Sequence, residues 1–154
     1  MKVARMVVWL VLAALVAFAG YVRLAPSDPG VWHLDLATQR PEVMPYVLFP
    51  PGADLVVPIE GGAYADLFAE PTDAIKLLAG LDAIAMATQR TTRLAGSVAD
   101  GHITWITRSA LWGFPDYTTA QVTTGALTVY SRLRFGRADM GVNAARLKDW
   151  LSRL

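Results

Sequence analysis

The side chains able to do chemistry are few. Among 154 residues there are two histidines, His33 and His102, and no cysteine. Thiol catalysis, disulfides and thiolate metal sites are therefore excluded. Neither histidine has an acidic or histidine partner at a metal-binding spacing, so no metal site is expected. Ser109, His102 and Asp116 supply the residue types of an acyl-transfer triad, but no nucleophile elbow surrounds the serine. Gly61-Gly62 lacks the lysine and the spacing of a phosphate loop and reads as a turn. No catalytic residue and no cofactor is assigned on these grounds.

The denser polar chemistry lies between Asp116 and Arg146. Arg132, Arg134, Arg137 and Arg146 offer guanidinium groups, and Asp116, Asp139 and Asn143 offer acceptors, with Gly136 and Gly141 between them. One reading is structural: a strand leaves a sheet, the glycines permit a reversal, and Asp139 or Asn143 caps the amides of a following helix while an arginine pairs with Asp116 or Asp139. The other is an anion or partner site built from the arginines and the helix amides. Trp105, Trp112 and Phe114 similarly read as ordinary core or as the lining of an apolar pocket for a lipid, quinone or pigment.

These residues need a scaffold, and hydrophobic patterning supplies one. Apolar residues Ala74, Leu77, Leu78, Leu81, Ile84 and Ala85 recur at three-four spacing, which predicts an amphipathic helix over 73–87 capped by Thr72. Four strands follow, over 89–98, 102–111, 117–124 and 126–135, with tight turns at Asp100-Gly101 and Thr124-Gly125 and a wider corner at 112–116. In the last strand Leu127, Val129, Ser131, Leu133 and Phe135 share one face; Thr128, Tyr130, Arg132 and Arg134 share the other, expected to be polar. A further strand is expected over 54–60, kept to an edge by Pro58, and a helix over 143–154 ends the chain. The fold class is α+β: an antiparallel meander with two packed amphipathic helices.

Upstream, Met6 to Val22 contains no charged residue and is bounded by Lys2 and Arg5 on one side and Arg23 on the other. Seventeen residues rise about 25 Å as a helix, enough to cross a bilayer core with snorkelling arginines at its end. Residues 1–24 are read as a transmembrane anchor with a cytoplasmic amino terminus, which places the remainder in the periplasm of an inner-membrane, single-pass protein. Ala17-Phe18-Ala19 leaves open a cleaved signal peptide, which exports the domain equally. Residues 25–53 are too rich in proline for regular structure and are expected to wrap over the 54–154 domain, pinned by Trp32, Met44, Tyr46, Leu48 and Phe49. Positions 24–89 carry nine acidic and two basic residues, and positions 90–154 nine basic and four acidic. This asymmetry fits either two halves packed together or a basic face toward anionic lipid or an acidic partner. An exported domain makes nucleic acid an improbable ligand.

The run Ser131-Arg132-Leu133-Arg134-Phe135-Gly136-Arg137-Ala138-Asp139-Met140-Gly141-Val142-Asn143-Ala144-Ala145-Arg146 resembles the C-terminal signature of domain-of-unknown-function family fourteen-ninety-nine. Ser131, Arg134, Gly136, Asp139, Gly141, Asn143 and Arg146 match it, while Leu133 and Ala138 stand where the pattern has serines. Thr107-Arg108-Ser109 and Phe114-Pro115-Asp116 also resemble the family, and Ala25-Pro26-Ser27-Asp28-Pro29 with Trp32-His33 is similar to the start of its membrane-anchored proteobacterial members. The resemblance implies no activity. The expectation is a non-catalytic accessory or assembly subunit of a membrane complex, contacting membrane lipids and other membrane protein subunits. The alternative is a carrier for a hydrophobic small molecule, and an envelope enzyme is a remote third.

Overall fold

The computed structural model describes residues 2–39 and 56–154. Helix α1 (Lys2–Leu24) carries the charge-free run and leaves most of its apolar surface exposed. It is long and apolar enough to cross a membrane. After a short helix α2 (Pro29–Trp32), strands β1 (Val57–Ile59) and β2 (Gly62–Phe68) form a hairpin. Helix α3 (Pro71–Ala87) precedes strands β3 (Thr91–Ser97), β4 (His102–Arg108), β5 (Pro115–Thr123) and β6 (Ala126–Leu133), and helix α4 (Val142–Leu151) closes the domain. The six strands make one open antiparallel sheet in the order β1-β2-β6-β5-β4-β3. The α+β class and the four-strand meander read from the sequence are as observed.

The helix α3 forms where the three-four pattern places it, with Ala74, Leu78, Leu81 and Ala85 buried against the sheet. Its start differs from expectation. Glu70 is the N-cap residue and Pro71 the first helical residue, so Thr72 lies inside the first turn. Proline suits that position because its missing N–H would have no partner there. The second difference is β2, which the sequence reading left as a turn and following segment. Its core-facing residues are Ala63 and Ala65, both fully buried, and small side chains give little strand signal. The strands approach closely at the start of β2, where a Cβ on neighbouring Gly62 would collide with the Ser131 carbonyl of β6.

On the helix side of the sheet, Trp105 and Trp150 meet edge to face at 5.9 Å among Leu78, Leu81, Leu127 and Leu147. Each buried indole removes roughly 150–250 Å² from water, worth about 4–6 kcal/mol before chain entropy is subtracted. The Trp105 Nε1 donates to Asp82 Oδ1 of α3 at 2.9 Å, and Asp82 also pairs with Arg93.

The opposite face was expected to be polar, and it is polar and covered. Residues 25–39 lie across it: Trp32 stacks on Tyr117 with ring centroids 4.0 Å apart, and Leu36 is fully buried. Beneath them run hydroxyl pairs, Thr104 with Thr119 at 2.8 Å and Thr123 with Thr128 at 3.0 Å. Thr128 and Tyr64 both donate to Asp66. The wrap anticipated from proline content is thus seen for 25–39, with one helical turn in it; Met44, Tyr46, Leu48 and Phe49 lie outside the described residues. Both sheet edges are irregular. β1 is three residues long and contains Pro58, while β3 shifts register between Arg93 and Ala95 and carries Gly96 at φ +80°.

Candidate functional site

The signature residues gather where β5 and β6 meet the start of α4. Gly136 (φ +98°) and Gly141 (φ +79°) turn the chain from strand to helix in a left-handed backbone that other residues adopt only at a cost. Asp139 then caps α4: its carboxylate accepts from the Asn143 amide at 2.9 Å and from the Gly141 amide at 3.2 Å. Burial opposes ionisation of Asp139, but these amide bonds outweigh it and hold the carboxyl below the usual range.

From the first turn of α4, Asn143 reaches back to β6. Its Oδ1 accepts from Ser131 Oγ at 2.6 Å and from an Arg146 nitrogen at 2.6 Å, and Ser131 Oγ also bonds Thr118 at 2.8 Å. The other terminal nitrogen of Arg146 donates to Asp116 Oδ2 at 2.9 Å. Both partners are nearly buried, with side chains 11% and 15% exposed. Burial raises the Asp116 pKa, with Arg146 pulling the other way and the Asp139 charge adding to the rise. An ionised Asp116 therefore depends on Arg146. Through these bonds the cluster couples strand to helix, although Asn143 Nδ2 is buried without a partner among the described residues.

The four arginines read as one anion or partner site are divided between places. Arg146 serves the network on the helix side. Arg132 and Arg134 lie on the opposite face, where Arg132 sits 4.5 Å over the Trp32 ring and donates to the Val31 carbonyl, and Arg134 donates to the Pro26 carbonyl and to Tyr117 Oη. They hold the wrap to the sheet. Arg137 is in the exposed loop, 3.6 Å from Glu60.

The three aromatics are also apart. Trp105 is in the core, Trp112 is partly exposed in the 109–114 loop, and Phe114 touches Phe18 and Phe135 at about 6 Å. Between sheet and α3, Trp105 packs with Trp150, Leu78 and Leu81, and Phe114 lies instead at the end of the sheet beside Phe18 and Phe135. Ser109, His102 and Asp116 do not converge either. Ser109 Oγ accepts from the Phe114 amide, His102 contacts the Leu34 carbonyl beneath the wrap, and Asp116 is committed to Arg146. His102 stacks instead on His33, ring centroids 3.6 Å apart, with His33 Nδ1 2.8 Å from Thr104 Oγ1.

What sequence spacing did not reveal is the end of the sheet where α1 docks. Phe18 meets Phe114, Tyr21 meets Phe135 at 6.1 Å, and Arg23 donates to the Leu111 carbonyl at 2.9 Å. Two cavities open there on either side of Ser109. One, of about 290 Å³, is lined by Phe114, Leu133, Phe135, Val142, Asp116 and Asp139. The other, of about 310 Å³, is lined by Arg23, Arg90 and Arg108. No local pattern announces it, since its arginines come from three distant segments.

Fold and site together define an open six-stranded antiparallel domain, backed by two helices, whose polar signature ties β6 to α4 and whose amino-terminal apolar helix docks on one end of the sheet. The chain belongs to the family described as Protein of unknown function (DUF1499), whose model matches residues 59–154. No curated protein and no solved structure matches it.

Proposed function

We propose that this protein is a non-catalytic accessory or assembly subunit of a larger membrane complex, anchored by α1 in the inner membrane with residues 25–154 in the periplasm. The observation that carries this reading is the junction that Phe18, Tyr21 and Arg23 of α1 make with Phe114, Phe135 and Leu111 at one end of the sheet. A domain held on such a junction stays beside the bilayer, within reach of neighbours in the same membrane. Lys2 and Arg5 before the apolar run favour a cytoplasmic amino terminus. The bonds that tie Ser131, Asn143, Arg146 and Asp116 to one another support a structural rather than a chemical role.

Extraction of the native membrane in mild detergent, followed by size analysis and cross-linking mass spectrometry, tests the reading. The expected result is an assembly larger than the chain itself, with reproducible cross-links to other integral membrane proteins. A lone monomer without such cross-links refutes it, as does protease accessibility of the folded domain from the cytoplasmic side.

A further inference from the structure

We propose that Arg23, Arg90 and Arg108 form a binding site for the phosphate of an anionic phospholipid in the leaflet facing the domain; this rests on the reading of α1 as a membrane anchor. The cavity they line also includes Thr92, Ser109 and Gly113. Each guanidinium is oriented by backbone oxygen: Arg23 by Leu111 at 2.9 Å, Arg90 by Arg108 at 3.2 Å, and Arg108 by Gly113 at 3.0 Å. Arg90 makes one further bond, to the Gln89 side chain. A guanidinium carries five N–H donors, so most of their capacity remains for a ligand.

Charge sets the chemical class. Three cations share one cavity, and among the described residues none of them has a carboxylate within ion-pair distance. Asp116 and Asp139 line the neighbouring cavity and are committed to Arg146 and to the α4 amides. Like charges gathered without counter-charge repel, and a phosphate accepting from several guanidinium groups relieves this. Two local features make the convergence possible. Arg90 adopts φ +59°, and Gly113, at φ +75°, admits the Arg23 side chain where a Cβ would press on it at 3.0 Å.

Position selects a lipid over a soluble phosphate. Arg23 directly follows the apolar run of α1, at the level where headgroup phosphates lie. Next in sequence to lining residues, Leu24 follows Arg23 and is 84% exposed, and Leu111 and Trp112, between Ala110 and Gly113, are 76% and 39% exposed. Those side chains suit the interfacial and upper acyl region, and Trp in particular favours it. The ligand expected is thus a phosphate with hydrocarbon beside it.

The test uses the full chain purified in a neutral detergent and exposed to phosphatidylglycerol or phosphatidylcholine, with retained lipid counted by native mass spectrometry and affinity measured in nanodiscs of the same lipids. Phosphatidylglycerol should be retained and phosphatidylcholine not. Arg90→Gly, which keeps the left-handed backbone comfortable, and Arg108→Gln should each weaken binding about fivefold, the order expected for one basic residue near an anionic surface. Arg137→Gln, a basic loop residue away from the cavity, should change it less than twofold. Thermal melts of each variant show that it is folded. Equal retention of both lipids, or unchanged binding by the Arg90→Gly/Arg108→Gln double variant, overturns the proposal. So does inorganic phosphate or glycerol phosphate that binds as tightly as the lipid, which assigns the cavity to a soluble anion. Alkaline carbonate washing reports separately on the anchor: release of the chain from membranes sinks the anchoring reading and this site together, whereas retention with no lipid preference sinks the site alone.

Discussion

Replacing Arg146 with methionine should destabilise the domain far more than loss of a surface ion pair would. The change removes two donors, one to Asp116 and one to Asn143 Oδ1, while keeping most of the side-chain volume. Exposed pairs are worth about 0–1 kcal/mol, but removal of one partner of a buried pair costs about 3–5 kcal/mol, because the remaining charge stays desolvated. With the two side chains 11% and 15% exposed, the lower end applies, about 3 kcal/mol. For a domain near 100 residues that is a fall in Tm of about 12 °C or more. The pH dependence identifies the cause. Arg146 opposes the rise in the Asp116 pKa, so its removal pushes that value further up. A group with a raised folded pKa binds its proton more readily folded than unfolded, so the penalty is greatest above the folded value and shrinks as pH falls through it. The Tm difference between variant and wild type, measured by circular dichroism in mild detergent from pH 7.5 to 5, should therefore narrow on acidification. Adding Asp116→Asn should recover about 1–2 kcal/mol. A penalty below about 1 kcal/mol that is flat with pH would refute the account of a desolvated, mutually dependent pair.

Acid should also loosen the wrap. Burial lowers the pKa of both His33 and His102, the neighbouring His33 lowers that of His102 further, and opposition from Asp100 at both rings and from the Leu34 carbonyl and Asp35 at His102 is insufficient to reverse it. The sign follows: folded values below the unfolded value of about 6.5 give a contribution present above that pH and lost as pH falls through it. Protection factors across 25–39, corrected for the slower intrinsic exchange in acid, should fall between pH 7.5 and 5 while the Trp105 core stays protected, and protection factors across 25–39 that do not change with pH would contradict this. Gly96→Ala should be strongly destabilising, by more than the roughly 1–2 kcal/mol of a left-handed alanine, because the new Cβ would also strike the His102 carbonyl across the β3–β4 pair. A shift in Tm of under 4 °C would show that the bulge relaxes.

How much of this was legible in the sequence depended on whether the signal was local. The helix α3 has a three-four pattern and the β3–β6 meander has Asp100-Gly101 and Thr124-Gly125 turns, so both were readable in place. β2 was not, because Ala63 and Ala65 are chosen by close packing against α4 and β6 rather than by strand propensity. The covered face was half legible: proline content indicated a wrap, yet the polar face of Thr128 and Tyr130 gave no sign that the wrap lies on it, because hydroxyl ladders and surface positions look alike in sequence. Within the signature, the capping role of Asp139 could be anticipated from its spacing to the helix. The division of Arg132 and Arg134 from Arg146 depends instead on which sheet face each element supplies, and that is a tertiary fact. The Arg23, Arg90 and Arg108 cavity had no local sign at all, since it joins a helix end, a turn and a strand end that are far apart along the chain.

The margins of the sheet carry a consequence for how copies of this protein coexist at high density. A three-residue outer strand with a proline and a bulged, glycine-kinked strand at the far side are poor templates for adding another chain's backbone. Among the described residues, neither outer strand favours self-association by strand extension. Contact through side chains is favoured instead, and there specificity, not generic amide pairing, decides who stands next to the protein.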